Sequence, residues 1–408
     1  MDISLSPSVL KGRIRIPASK SCAHRAIICA ALAHGTSVIK GVSMSKDIKA
    51  TLGAMKALGA EYEINDGILT INGIQAPVSE ADIDCNESGS TLRFIVPIAA
   101  ALGTRTVFRG RGRLPERPID IYKRELGKNG ITFVSEIMPY EISGRLCGGT
   151  YSIEGNVSSQ FVTGLLFALP LLDGDSEIVL TSRLESKPYV DITTDTLKRF
   201  GIKIDETANG FRIKGGQTYQ PHDETVEGDY SQAAFFYVAN ALGSEVSLDN
   251  LNTNSVQGDK RIVDIIREAC DENGVKGFRA DCSDIPDLVP ILAVLGAFGR
   301  EESVIYNAER LKLKESDRLS TTAELLNQLG GNVRVTDDGL IITPTGNMHG
   351  GVVDSHGDHR IAMAAAIAAL NANGNVTVRD AGAVEKSYPD FFKDYAELGG
   401  QANVIIVE

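Results

Sequence analysis

Six segments of this chain share one pattern: a polar head, an almost wholly apolar body and a closing glycine. They are "IPASKSCAHRAIICAALAHG" (16–35), "ESGSTLRFIVPIAAALG" (87–103), "SSQFVTGLLFALPLLDG" (158–174), "YSQAAFFYVANALG" (230–243), "SDIPDLVPILAVLGAFG" (283–299) and "DHRIAMAAAIAALNANG" (358–374). The closing glycines, Gly35, Gly103, Gly174, Gly243, Gly299 and Gly374, are spaced by 68, 71, 69, 56 and 75 residues. A surface helix carries a polar stripe along its length, and these bodies carry no such stripe. Each is therefore expected to be buried along its length, with only its ends free to reach a surface.

A short strand-like run follows each closing glycine: "SVIKGV", "TVFRG", "EIVLT", "EVSLDN", "SVIYNA" and "NVTVRDA". Next comes an amphipathic helix ending at a second glycine: Gly59, Gly130, Gly201, Gly274, Gly330 or Gly399. In "DIKATLGAMKALG" the residues Ile48, Leu52, Met55 and Leu58 fall on one face. Two more strand-like runs usually follow, as in "AEYEIN" and "ILTING". The repeating unit reads strand, buried helix, strand, surface helix, strand, strand. Six copies in one order, each with both glycines, argue against a chance similarity of helices.

A chain of 408 residues exceeds one ordinary core, and six units divide into two domains of three. The break is expected near "TVEGDYSQ", Thr225 to Ser231. The strand-like N-terminal segment is assigned to the second domain, so the chain crosses twice. The expected domains are 16–228 and 1–15 plus 229–408, joined by a double-crossover hinge. The fold class is α+β: two similar globular domains, each of three βαβαββ repeats with buried parallel helices. A helix N-terminus offers unpaired N–H groups and the positive end of a dipole, a seat for an anion. If both domains aim these ends at one cleft, the ligand there is highly anionic.

Composition narrows the function further. Hydrophobic content of 43% and charged content of 23% are those of a globular protein. The apolar runs are too short to span a bilayer, and the N-terminus lacks the charged-then-apolar order of a signal peptide, so a cytoplasmic protein is expected. The six cysteines show neither C-x-x-C nor zinc spacing and read as reduced, mostly packed thiols. A net charge of −12 argues against nucleic acid and makes any local group of cations informative. There is no G-x-x-x-x-G-K-[ST] loop, no G-x-G-x-x-G after a strand, no G-x-S-x-G and no H-E-x-x-H. No ligand cluster indicates a metal. "GRGRLPERP" is rich in Arg but lacks interleaved aromatics, so a nucleic-acid patch is the weaker reading.

The polar residues that punctuate the repeats fall mostly at or just before helix N-termini. Lys20, Ser21 and Arg25 head the first buried helix, and Ser158, Ser159 and Gln160 the third. Arg117 lies in "LPERPID", Ser186 and Tyr189 in "ESKPYVD", Asp287 in "SDIPDL", Lys314, Glu315 and Arg318 in "LKLKESDRL", His359 and Arg360 in "GDHRIAM", and Lys386 in "EKSYPDFF". Each has a plain alternative. Lys20 could be a solvated lysine, although its place at a buried helix head favours function, and Arg117 reads equally as the partner of Glu116 or Asp120. Capping alone explains one of Ser158 and Ser159, and also Asp358. Asp287 is another possible cap, and Tyr189 a packing residue. Lys314 and Arg318, four apart, suit ion pairs with Glu315 or Asp317 on a solvated face. Cys22 and His24 read as incidental neighbours. Together, however, seven cations drawn from both halves of an acidic chain suit two phosphates and a carboxylate. Two recurring carboxylates among them, Asp287 and Glu315, suit proton transfer.

In order along the chain, "PASKSCAHRA", "SGSTLRF", "PERPI", "SSQF", "SKPYVDIT", "DIPDL", "LKLKESDRL", "GDHRIAMA" and "KSYPDFF" closely resemble the motifs of the 5-enolpyruvylshikimate-3-phosphate (EPSP) synthase family. The resemblance runs almost the whole chain and implies the two-domain enolpyruvyl transferase fold. It also implies transfer of an enolpyruvyl group from phosphoenolpyruvate to the 5-hydroxyl of shikimate 3-phosphate. The reaction is addition then elimination, with no metal or organic cofactor, by a monomer binding neither nucleic acid nor membrane. Carried over, Lys20, Ser21, Arg25, Ser158, Ser159, Gln160, Ser186, Tyr189, Asp287, Arg310 and Lys314 look like the shikimate 3-phosphate site. Lys20, Gly89, Arg117, Gln160, Arg318, Arg360 and Lys386 look like the phosphoenolpyruvate site. Glu315 and Asp287 look like the proton-transfer pair, with Lys20 and His359 assisting. Glu87 and Arg310 both stand where well-known members carry Asn. The related transferases that act on UDP-N-acetylglucosamine usually carry a loop cysteine near Arg117, and none lies between Cys85 and Cys147 here.

Overall fold

A computed structural model describes residues 1–405. The chain divides into two compact units, Ala18–Glu227 and Met1–Pro17 with Gly228–Glu408, called here the N-terminal and C-terminal units. Each has its own apolar core.

The N-terminal unit holds α1 (Lys20–Leu32), α2 (Lys46–Ala57), α3 (Gly89–Leu102), α4 (Asp120–Lys128), α5 (Ser159–Ala168) and α6 (Lys187–Arg199). The C-terminal unit holds α7 (Tyr230–Ala241), α8 (Ile262–Ala269), α9 (Val289–Ala297), α10 (Arg318–Gln328), α11 (His359–Leu370) and α12 (Phe391–Glu397). The odd-numbered helices are the apolar ones, and in α9 and α11 every residue is buried. Ser19, Ser88, Ser158, Asp229 and Asp358 cap α1, α3, α5, α7 and α11 through their side chains. Asp287 is not a cap: α9 grows out of a 3₁₀ turn, Pro286–Leu288, with no side-chain cap.

Three sheets in the N-terminal unit share one plan. In the second, strand 80–84 runs parallel to 105–109, which pairs antiparallel with 140–144, whose far neighbour is 131–133. The first sheet borrows its opening strand, Glu224–Thr225, from the end of the unit. In the C-terminal unit Asp2–Ser6 fills the third place of the last sheet, between Asn373–Arg379 and Gln401–Ile405. The N-terminal segment therefore completes the last repeat, and Lys11–Arg15 pairs parallel with Glu245–Asp249 of the fourth.

The fourth repeat departs from the pattern. Its helix α8 stops at Ala269, and only a hairpin of Cys270–Asp271 with Gly274–Val275 follows. This is the repeat spanned by the short 56-residue step. The two sets of glycines also differ in role. Gly59, Gly130, Gly201, Gly330 and Gly399 each follow a surface-helix C-cap, with φ between 81° and 110°. That is the left-handed stop at which glycine carries no steric penalty. Two buried helices also end at a left-handed glycine: Gly103, at φ 73°, is the C-cap of α3, and Gly243, at φ 105°, follows the C-cap of α7. Pro170 turns the end of α5 into a 3₁₀ segment, so Gly174 lies beyond the helix.

Candidate active site

The first turns of α1, α3 and α5 carry the polar residues of the N-terminal unit. Lys20 Nζ donates to Asp47 Oδ2 at 2.9 Å, with both side chains mostly buried, so Lys20 is not a solvated lysine. The Arg25 guanidinium is buried and donates to Thr193 Oγ1 (2.8 Å), Ser21 O (2.7 Å) and Tyr189 O (2.7 Å). It thereby joins α1 to the start of α6, where Ser186 sits at φ 54°. Ser158 accepts from the Gln160 N–H, so its capping role is real, and Ser159 and Gln160 extend the head of α5.

Gln160 is oriented from both sides. Its Oε1 accepts from Arg93 Nη1 at 2.8 Å, and its Nε2 donates to Ser90 Oγ at 2.9 Å. Arg93 also donates to the carbonyl of Pro118, one residue past Arg117. Arg117 is buried against the head of α3, where a Cβ added at Gly89 would lie 2.6 Å from its guanidinium. Glu116 instead pairs with Arg113, and Asp120 with Lys123.

In the C-terminal unit four of the expected residues meet directly. Asp287 Oδ1 accepts from Arg318 Nη1 at 2.8 Å, and its Oδ2 from Arg360 Nη2 at 2.6 Å. Arg318 Nη2 donates to Glu315 Oε2 at 2.7 Å, and its Nε to Asp358 Oδ2 at 2.7 Å. The Arg318 side chain is only 2% exposed, so the run "KESDR" does not form a solvated face. Burial raises the proton affinity of Asp287, but the charges of Arg360, Lys314 and Arg318 outweigh it and hold the carboxyl well below the usual range. Burial, joined by Arg318 and Arg310, brings the Lys314 ammonium down to about 8, although Asp287 and Glu315 pull it upward. Arg310 donates to the carbonyl of Ser283, just before the turn that carries Asp287. Lys386 Nζ donates to Gly357 O at 2.6 Å, and His359 opens α11 buried beside the Asp358 cap.

Several partners in these networks escape sequence reasoning. Asp47 holds Lys20, Arg93 orients Gln160, and Ser231 accepts from Arg360 Nη2 at 3.0 Å. Asp358 both caps α11 and neutralises Arg318. One signal was available: Arg93 is the only charge in the apolar run of α3. Among the described residues no group of three or more His, Cys, Asp or Glu could hold a metal ion.

The fold is that of the enolpyruvyl transferases: the crystal structure of the enolpyruvyl transferase NikO from Streptomyces tendae matches with a TM-score of 0.80 at 17% identity, covering 100% of this chain and 99% of that one. EPSP synthase from Acinetobacter baumannii matches with a TM-score of 0.82 at 26% identity, covering 99% of this chain and 100% of that one. The family model described as EPSP synthase (3-phosphoshikimate 1-carboxyvinyltransferase) matches residues 6–395. Curated relatives bearing the latter name include those of Clostridium novyi (46% identical) and Clostridium perfringens (44%), each with 98% of both chains covered. The chain belongs to the EPSP synthase family.

Asp358 is fully buried and bonded to Arg318, so its removal leaves a buried guanidinium short of one anion. Asp358→Ala is expected to cost about 3 kcal/mol, as breaking a buried pair does. Asp358→Asn, which keeps a cap acceptor, should cost less. Urea unfolding of the two variants measures the difference.

Proposed function

We propose that the helix heads and their cations seat the two substrates, and that Asp287 and Glu315 move the protons. As an EPSP synthase the chain transfers the enolpyruvyl group of phosphoenolpyruvate to the 5-hydroxyl of shikimate 3-phosphate and releases phosphate, in the shikimate pathway of aromatic amino acid biosynthesis. The observation that carries the assignment is the single buried network in which Asp287 bridges Arg318 and Arg360 while Glu315 holds the same Arg318.

Lys20, Ser21, Arg25, Ser158, Ser159, Gln160, Ser186 and Tyr189, with Asp287, Arg310 and Lys314, bind shikimate 3-phosphate. Lys20, Gly89, Arg117, Gln160, Arg318, Arg360 and Lys386 bind phosphoenolpyruvate, whose carboxylate and phosphate match forked arginine donors. The buried glycine at the start of α3 supports this seat, because a side chain there would collide with Arg117.

In the addition step the 5-oxygen loses its proton and bonds to C2 of phosphoenolpyruvate, while C3 gains a proton and becomes a methyl group. In the elimination step C3 returns a proton, the double bond reforms, and the C2–O bond to phosphate breaks. The species between them stays anionic throughout, which suits fixed cations. Asp287 in the free protein is a weak base, since two arginines claim its oxygens. A substrate carboxylate that takes over those donors raises the basicity of Asp287, so the base strengthens when the substrate is in place. Glu315 serves the C3 proton, with Lys20 and His359 assisting. The chain works as a cytoplasmic monomer; its cysteines form no disulfide among the described residues, which suits a reducing compartment.

Two measurements test the roles. Glu315→Gln is expected to keep shikimate 3-phosphate binding by calorimetry and to lower kcat by about a hundredfold or more, the scale of a lost proton-transfer group. Near-normal turnover removes Glu315 from the chemistry. The second is a pH profile. Lys314 is a cation below its value of about 8 and neutral above it, so kcat/KM for shikimate 3-phosphate should fall as pH rises through that region. Lys314→Arg, always charged, should move the break upward; an unmoved break assigns it to another group.

A further inference from the structure

A buried histidine that the substrate sets leave out lies one residue before Arg25. His24 is 1% exposed, on the first turns of α1, and packs edge-on against the Phe94 ring with centroids 6.3 Å apart. Its Nδ1 lies 2.7 Å from Thr51 Oγ1 on α2, and Thr51 Oγ1 lies 2.8 Å from Thr91 Oγ1 on α3. Thr91 Oγ1 then donates to Ser88 Oγ at 2.8 Å, the side chain that caps α3 and also accepts from the Thr91 N–H at 3.1 Å. All four residues are buried, and the chain they form links three helices.

The hydrogen count gives this chain one direction. Thr91 has a single hydroxyl proton and donates it to Ser88, so at the Thr51–Thr91 contact Thr51 is the donor. Thr51 has then used its own proton, so His24 Nδ1 must donate to Thr51. Nδ1 therefore carries a proton, while the buried Nε2 has no hydrogen-bond partner in the protein, and an ionised ring would leave a second N–H unsatisfied there. Burial, reinforced by Lys20 and Arg25, also keeps the ring neutral. A buried ring nitrogen without a partner costs stability. A leucine of similar size would avoid that cost, so the residue type needs another explanation.

We propose that His24 is a positioning residue for the phosphoenolpyruvate seat: as the terminal donor of a directed His24–Thr51–Thr91–Ser88 chain, it holds the cap of α3 in the setting that places Gly89 against Arg117. The chain joins the helix that starts at Lys20 to the helix that starts at Gly89, two residues assigned to the same substrate. The inference rests on that assignment. Ser88 precedes Gly89 directly, so a tilt of the cap moves the first N–H groups of α3. Asparagine at position 24 can donate from its amide nitrogen near the place of Nδ1; leucine cannot donate at all.

The test is steady-state kinetics on the full chain with both substrates varied, alongside thermal unfolding, for His24→Leu, Thr91→Val, His24→Asn and Arg117→Ala. KM for phosphoenolpyruvate should rise about tenfold in His24→Leu and Thr91→Val, with KM for shikimate 3-phosphate within about twofold of the parent. His24→Asn should restore most of the loss. A folded His24→Leu with an unmoved phosphoenolpyruvate KM overturns the proposal, as do equal rises in both KM values or an asparagine variant no better than leucine. Arg117→Ala separates the two layers. If it raises the phosphoenolpyruvate KM and His24→Leu does not, the chain alone is wrong; if neither does, the seat is wrong and the chain falls with it.

Discussion

A helix that is apolar on every side has to be surrounded, and this single demand organises both units. The sides of the odd-numbered helices are spent on packing: Ala26 to Ala31 in α1 and Ile361 to Ala369 in α11 are essentially inaccessible. What remains is the first turn, where four N–H groups lack helical partners and the dipole is positive. The chain satisfies part of that need with Ser and Asp caps and places lysines and arginines beside them. Charges in these positions cannot sit on a solvated flank, since there is none. They become buried or half-buried groups held by specific partners.

Burial then dictates the rest of the chemistry. Arg318 is enclosed by three carboxylates, Asp287, Glu315 and Asp358, each on a different nitrogen or edge of its guanidinium. A guanidinium out of water is tolerable only with such compensation. The same arrangement presents two acids at defined places with their charge already paired. Asp358 is the structural member, used up by Arg318, Ser316 and the cap of α11. Asp287 and Glu315 are more exposed, with 18% and 17% of their side chains accessible, so they are the members that can meet a substrate.

Repetition was the part most legible in the sequence. The buried bodies, the surface helices and the strand order could be read from periodicity because each repeat restates the same burial pattern. The fourth repeat was less legible: its closing glycines stand only 56 residues apart, yet nothing in the run after Ala269 marks the reduction of its last two strands to a short hairpin. The paired glycines looked equivalent and are not. Five of the second set end surface helices, where a left-handed residue is needed, while Gly274 lies in the hairpin after α8; Pro170 and the 3₁₀ turn after α5 show that a buried helix can end by other means.

The candidate site was legible in its cations and much less so in their partners. Lys20, Arg318 and Arg360, at helix heads, and Arg117, just before one, announce themselves as charges in an acidic chain. Asp47, Ser231 and the hydroxyls of Thr51 and Thr91 do not, because their roles depend on contacts between helices far apart in sequence. His24 looked incidental for the same reason. The proposed reaction turns on protons entering and leaving C3 of phosphoenolpyruvate beside a fixed anion site. The most direct measurement is to run the reaction in heavy water and read the product's vinyl group by nuclear magnetic resonance. Addition followed by elimination requires deuterium at C3 in a share of the enolpyruvyl product, since the transient methyl group carries one solvent-derived atom among its three and loses one of them. A product whose vinyl positions hold only the original hydrogens would contradict it.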